Sequence, residues 1–285
     1  DSGDNNVSLG ANHPLKTAAL GTPVQDDRWI QYKVLLTATG SSSPIVDSIT
    51  VTYVVNSAPE FDDSYGTNGV NISSQASDGT FTIQYMIRDT DTLSSTNSDP
   101  GAGKVNPSFE YSTNGGGSWS SITGGFTSAS PTTSKAVEES NWTTYSATWD
   151  PNLQTNLDET YTTQAQIRIT LDDGEAANNT AATTSAQFTL DTKAPTVATN
   201  PRITATTTPA TINLNTSDDS TLYMKVGLSS DVSDVASWSA YSAETTKSIA
   251  TDPDTVYVRF QDAYGNQSSI SSATTPETPP NMMIQ

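Results

Sequence analysis

The sequence predicts an all-β chain, in which tandem β-sandwich modules follow a partial β module. Three observations carry that expectation. Apolar and polar residues alternate with a period of two in segment after segment, as in 80–88 and 164–171; this spacing turns one face of a strand to a core and the other to water. Clusters such as Asp78-Gly79 and Asn114-Gly115-Gly116-Gly117 punctuate those segments, at places where a turn needs a positive φ or a local side-chain bond. The polarity comes from Ser, Thr and Asn, with charged residues only 15% of the chain, which suits exposed strand faces and not the Glu, Lys and Arg faces of surface helices.

The elements follow in order. Residues 28–37 begin as an alternating strand, 40–44 form a turn cluster and 45–54 read as a second strand. Two strands are too few for an independent fold, so residues 1–57 are expected to be a partial module or a strand-pairing segment. Ser57-Ala58-Pro59-Glu60-Phe61 reads as a linker because proline removes a ladder donor. A β-sandwich over 58–192 is expected next, with strands at 80–88, 108–112, 144–149, 164–171 and 186–190 and a Ser/Thr-rich loop inserted at 123–141. Asp191 to Val197 form a second linker, and a further sandwich is expected over 193–279, with 280–285 a linker or the start of another module. The third body repeats the second. Residues 210–215 parallel the strand around Phe81, and 255–260 parallel 167–171. Asp218-Asp219 fall where Asp89 and Asp91 fall, and Asp262-Ala263-Tyr264-Gly265-Asn266 matches Asp172-Asp173-Gly174. Such a repeat argues for tandem modules and against one large catalytic domain. No segment reads as a helix, and 232–238 has room for a single turn at most.

Charge and special residues narrow the function. The net charge of −19 leaves no basic patch for phosphate, which argues against nucleic acid and anionic membrane surfaces as partners. No stretch approaches the length of a membrane span. The chain has no cysteine, so disulfides, thiolate metal sites and cysteine nucleophiles are all excluded. A disulfide-free protein of this class fits a bacterial or archaeal exported origin. The chain opens at Asp1 without a methionine, which reads as a processed product or a piece of a longer polypeptide. His13 is the only histidine and precedes a proline in an irregular leader, a poor setting for a Ser-His-Asp triad. The expectation is therefore a protein that is not an enzyme.

Two short motifs carry a family resemblance. Asp191-Thr192-Lys193-Ala194-Pro195 and Val256-Tyr257-Val258-Arg259-Phe260-Gln261-Asp262-Ala263-Tyr264-Gly265-Asn266 resemble the linker and the late strand of bacterial immunoglobulin-like and fibronectin type III-like modules of large cell-surface proteins. The resemblance covers about 58–279 and implies stacked stalks, adhesins, surface layers or accessory modules of enzymes. The segment 28–53 is similar to the final strand pair of jelly-roll modules, so 1–57 is expected to be jelly-roll-like in part. Ser112-Thr113-Asn114-Gly115-Gly116-Gly117-Ser118-Trp119 resembles the Asp-box hairpin of sialidases, with Asn114 in place of the Asp.

Carboxylates supply the candidate ligands. Asp89, Asp91, Asp172, Asp173, Glu60 and Asp191 form a candidate calcium set, since calcium takes six to eight oxygens from carboxylates, carbonyls and water. Asp218, Asp219 and Asp262 are the equivalent set in the third body. The 56–61 segment resembles cadherin linker elements, with Asn56-Ser57 where those carry an acid. The competing reading is that these aspartates cap turns through Asx bonds. Among the tryptophans, Trp142 is the candidate for stacking on a glycan, because Asn141 and Thr143 flank it in a polar loop, whereas Trp119 and Trp149 suit a core. The function expected is an extracellular structural building block of a microbial surface layer, sheath or filament, a homopolymer through strand pairing. The alternative is a carbohydrate-binding or spacer module of a larger exported enzyme or adhesin.

Overall fold

The structure, a computed structural model, describes residues 57–90, 100, 103–175, 179–205, 209–249 and 254–275. The strands expected at 28–37 and 45–54, together with His13, Asp91 and residues 280–285, lie outside the described residues. What is described is all-β: seventeen strands and one 3-10 turn at Pro151–Leu153. The strands form four antiparallel sheets that run as open paths.

The first ten strands are β1 (Glu60–Phe61), β2 (Val70–Ile72), β3 (Phe81–Arg88), β4 (Lys104–Ser112), β5 (Ser120–Ser121), β6 (Lys135–Ala136), β7 (Thr143–Trp149), β8 (Tyr161–Asp172), β9 (Thr180–Thr184) and β10 (Phe188–Asp191). One sheet is organised on β3, which pairs with β7 along one edge and with β1 and β2 along the other. The second is organised on β8, which pairs with β4 on one edge and with β9 and β10 on the other. Both central strands bury alternate residues: Phe81, Ile83, Tyr85 and Ile87 on β3, and Ala165, Ile167, Ile169 and Leu171 on β8. These residues meet in one apolar cluster shared by the two sheets. Trp149 is fully buried within it, stacked on Phe81 and Tyr111 at centroid distances of 6.1 and 5.9 Å.

The segment read as an inserted loop at 123–141 is folded onto this body. Val137 is buried in the cluster, Phe126 packs against it and bridges to Trp149, and β6 pairs with β4. The hairpin after β4 closes as its residues demand. Asn114 Oδ1 accepts bonds from the Ser112 hydroxyl and the Ser118 amide, and Gly115 and Gly116 take φ of 67° and 88°. Trp119 emerges from that hairpin half-buried and outside the core, with the Arg168 guanidinium 4.5 Å from its ring centre.

The remaining strands are β11 (Thr196–Ala205), β12 (Ala210–Ser217), β13 (Tyr223–Gly227), β14 (Ser239–Ala240), β15 (Glu244–Lys247), β16 (Thr255–Gln261) and β17 (Ser271–Thr274). They form the sheets β11-β12-β15 and β14-β13-β16-β17. A second, separate apolar cluster lies between them, built on Ile212, Leu214, Met224, Val256, Val258 and Phe260. The chain passes from the first body to the second through residues 192–195. That passage is tied down on the first body, because the Thr192 amide donates to Thr160 O at 2.8 Å and its hydroxyl donates to Leu157 O. No helix among the described residues is long and apolar enough to cross a membrane.

Candidate cation site between the two bodies

Three strand ends converge where the bodies meet. Asp191 is the last residue of β10, Asp218 follows β12 and Asp262 follows β16. Strand ends are where carboxylates belong on local grounds, because an Asx oxygen can take up the amides that the ladder leaves behind. Asp218 does this for the amide and hydroxyl of Ser220, both at 2.8 Å. Asp262 does it for the amides of Tyr264 and Asn266, at 2.9 and 2.8 Å.

Turn capping leaves a larger fact unexplained. One carboxylate oxygen from each of Asp191, Asp218 and Asp262 lies within 4.8 Å of the others, and two of the three residues are buried. Asp191 is 1% exposed and Asp262 2%. Asp191 Oδ1 accepts the Lys193 amide at 3.0 Å, but its Oδ2 is buried and accepts no hydrogen bond. Burial pushes the Asp191 carboxyl up to about 6 from an ordinary 3.8, and the negative charges of Asp262, Asp218 and Asp219 push in the same direction. The Asp262 carboxyl is also raised, again chiefly by burial. The nearby Lys193 ammonium pairs with Asp219 at 3.1 Å, on the exposed side. A buried carboxylate with an unsatisfied oxygen is costly unless something neutralises it, and this buried Asp cluster can coordinate a divalent cation.

The main chain at the site is held from both bodies. Gln75, in the loop between β2 and β3, clasps Asp191 from two sides: its Oε1 accepts the Asp191 amide at 2.9 Å and its Nε2 donates to the Asp191 carbonyl at 2.8 Å. The Asn266 amide group donates to that same carbonyl at 3.0 Å and to Asp262 Oδ2 at 2.7 Å. Close by, the 262–266 turn lies on the 75–79 loop of the first body. A Cβ on Gly265, where φ is +92°, would stand 2.9 Å from Ser77 O, so the two backbones approach more closely than a side chain there permits.

The other candidate ligands lie elsewhere. Glu60 pairs with Arg88 at 2.7 Å. Asp172 Oδ1 accepts the Gly174 amide at 2.8 Å and the Asn179 side chain at 3.1 Å, and Asp173 Oδ1 accepts the Glu175 amide at 2.8 Å. Asp89 and Asp173 are buried, and they follow β3 and β8 as Asp218 and Asp262 follow β12 and β16. Of the first-named set, Asp191 is therefore the member that the structure brings into the carboxylate cluster, and its companions come from the equivalent set in the following body. Gln75 was not read as a site residue, since it sits in a Ser-rich loop with nothing in the local sequence to set it apart.

Trp142 is half-buried, with the Arg88 guanidinium 4.3 Å from its ring centre. Arg88 is itself held by Glu60, so one face of the indole is occupied by a fixed cation. A groove on the first body is lined by hydroxyls and amides, among them Tyr111, Ser120, Ser121, Gln154 and Asn156. No family model matches the chain, and no curated protein matches it.

Proposed function

We propose that this chain is a non-enzymatic, extracellular structural protein, a building block of a microbial cell-surface layer, sheath or filament. In this reading its two bodies are immunoglobulin-like or fibronectin type III-like β-sandwich modules joined through a calcium ion. The observation that carries the reading is the joint: two all-β bodies with separate apolar cores meet at a buried cluster of three carboxylates. Interfaces between bodies of one chain are usually small and permit relative motion, and a protein that bears load in an array gains from suppressing it.

Calcium is the cation this donor set favours. Its side-chain donors are carboxylates, which suit hard cations and not the softer metals that favour thiolate or imidazole. Calcium accepts irregular sets of carboxylate, carbonyl and water oxygens, whereas magnesium holds to a strict octahedron. Residues 1–57 supply the polymer contact in this reading, by adding strands to a neighbouring copy. The groove lined by neutral hydroxyls and amides offers no paired carboxylates for hydrolysis.

Electron microscopy of the purified chain in calcium and in chelator tests the proposal. Ordered assemblies that lose order in chelator, and that fail to form when residues 1–57 are deleted, are expected. Dispersed monomers under every condition would overturn the polymer reading. Turnover of a polysaccharide or peptide panel that vanishes on changing one carboxylate would overturn the non-enzymatic one.

A further inference from the structure

The cation site is divided between the bodies. Asp191 belongs to β10 of the first, while Asp218 and Asp262 belong to the second. A cation that takes oxygens from all three can do so only while the bodies are docked. Cation binding and docking are then one coupled equilibrium, and the coupling is reciprocal: whatever favours docking must raise cation affinity by the same factor. Asp191 Oδ2, buried and without a hydrogen bond, marks where the docked state is incomplete on its own.

Two neutral side chains govern that coupling without being carboxylate donors. Gln75 fixes Asp191 through both its amide and its carbonyl. Asn266 ties the Asp191 carbonyl of one body to the Asp262 carboxylate of the other with a single amide group. The close passage of Gly265 by Ser77 O adds a backbone contact at the same place.

Resting on the reading of the Asp191–Asp218–Asp262 cluster as a calcium site, we infer that the joint is a cation-operated lock. Bound calcium holds the two bodies in one fixed docking, and its loss frees them to move relative to one another. Gln75 and Asn266 are positioning residues that set the affinity of the site.

The test uses the full chain, titrated with calcium chloride by calorimetry and measured by small-angle X-ray scattering in calcium and in chelator. One ion per chain is expected, with a dissociation constant on the order of 10⁻⁴–10⁻³ M, as in other extracellular modules. A narrower distribution of dimensions is expected in calcium than in chelator. Gln75→Ala is expected to weaken calcium binding about tenfold, yet to recover the wild-type scattering curve at saturating calcium, which also establishes that the variant is folded. Asn266→Ala is expected to act in the same direction, and Asp191→Asn to abolish the calcium heat. If calcium binds with unchanged scattering, the lock is wrong while the site stands. If no calcium heat appears at millimolar concentration, the site falls and the lock with it. If Gln75→Ala leaves the affinity unchanged, the positioning role is overturned.

Discussion

Replacing Asp191 by Asn is expected to stabilise the cation-free protein and destabilise the cation-loaded one, relative to wild type. The magnitude follows from the environment of the carboxyl. Its value is pushed from an ordinary 3.8 to about 6, first by burial and then by Asp262, Asp218 and Asp219. At about 1.4 kcal/mol per unit, holding the charge there costs on the order of 3 kcal/mol at neutral pH. The unsatisfied Oδ2 is a separate sign of the same cost, about 1–3 kcal/mol for a buried polar group. Asparagine keeps the shape and the oxygen that accepts the Lys193 amide, and removes the charge. Because the freed bodies relieve part of that cost by moving apart, a gain of about 1–2 kcal/mol in chelator at pH 7 is expected. In calcium the order reverses, because wild type is stabilised by about 2.7 kcal/mol at a hundredfold excess over the dissociation constant and the variant is not. Denaturant unfolding of the full chain measures both. The two apolar cores can unfold separately, so each transition is fitted on its own. A variant that is less stable than wild type in chelator would refute the reasoning, by showing the carboxylate to be satisfied as it stands.

Three further outcomes follow from other parts of the molecule. Trp149→Ala empties the fully buried place against Phe81 and Tyr111 and is expected to cost about 3–5 kcal/mol, read as a lower unfolding midpoint of the first body with the second unchanged. Gly265→Val forces a side chain into a left-handed turn beside Ser77 O. It is expected to widen the scattering distribution even in calcium, with each apolar core intact by circular dichroism. Asp234 is held charged well below the ordinary carboxylate value, first by the Leu228 amide, then by the hydroxyl and amide of Ser229 and by Lys247. Its folded value lies below its unfolded one, so its stabilisation is present above about pH 4 and is lost as the pH falls further. Asp234→Asn is expected to lower the melting temperature at pH 7, by an amount that shrinks steadily as the pH falls below about 4.

The parts of the fold legible in the sequence are those where large apolar residues stand two apart. Phe81 to Ile87, Ala147 to Trp149, Ile167 to Leu171 and Val256 to Phe260 all alternate, and all are buried on the expected side. Strands without that signal were missed. β9 reads Thr-Ala-Ala-Thr-Thr, and β11 carries Pro201 and breaks its register against β12 in three places. Phase along the chain also explains the tryptophans. Trp149 shares the inward phase of Ala147, whereas Trp142 falls on the opposite phase with Arg88, on the outer face. Asp191, Asp218 and Asp262 were visible as repeated turn acids, but their meeting was not. Local sequence pairs each acid with its own repeat, while the structure joins the end of one body to the head of the next. Gln75 carried no signal, because its role depends on a partner more than a hundred residues away.

The last residue of β10 completes a site that otherwise belongs to the next body. The carboxylate cluster is thus offset by one strand from the second apolar core. A fragment beginning at Lys193 would carry every residue of the second apolar cluster and lack one of the three carboxylates, so on the proposed calcium reading it would have the core and not the site. The same offset bears on ancestry. If such bodies were shuffled by recombination at the Ala194-Pro195 passage, each would leave its missing carboxylate behind on its former neighbour. Selection would then act on adjacent pairs, and the order of bodies along the chain would be inherited as strictly as their individual sequences.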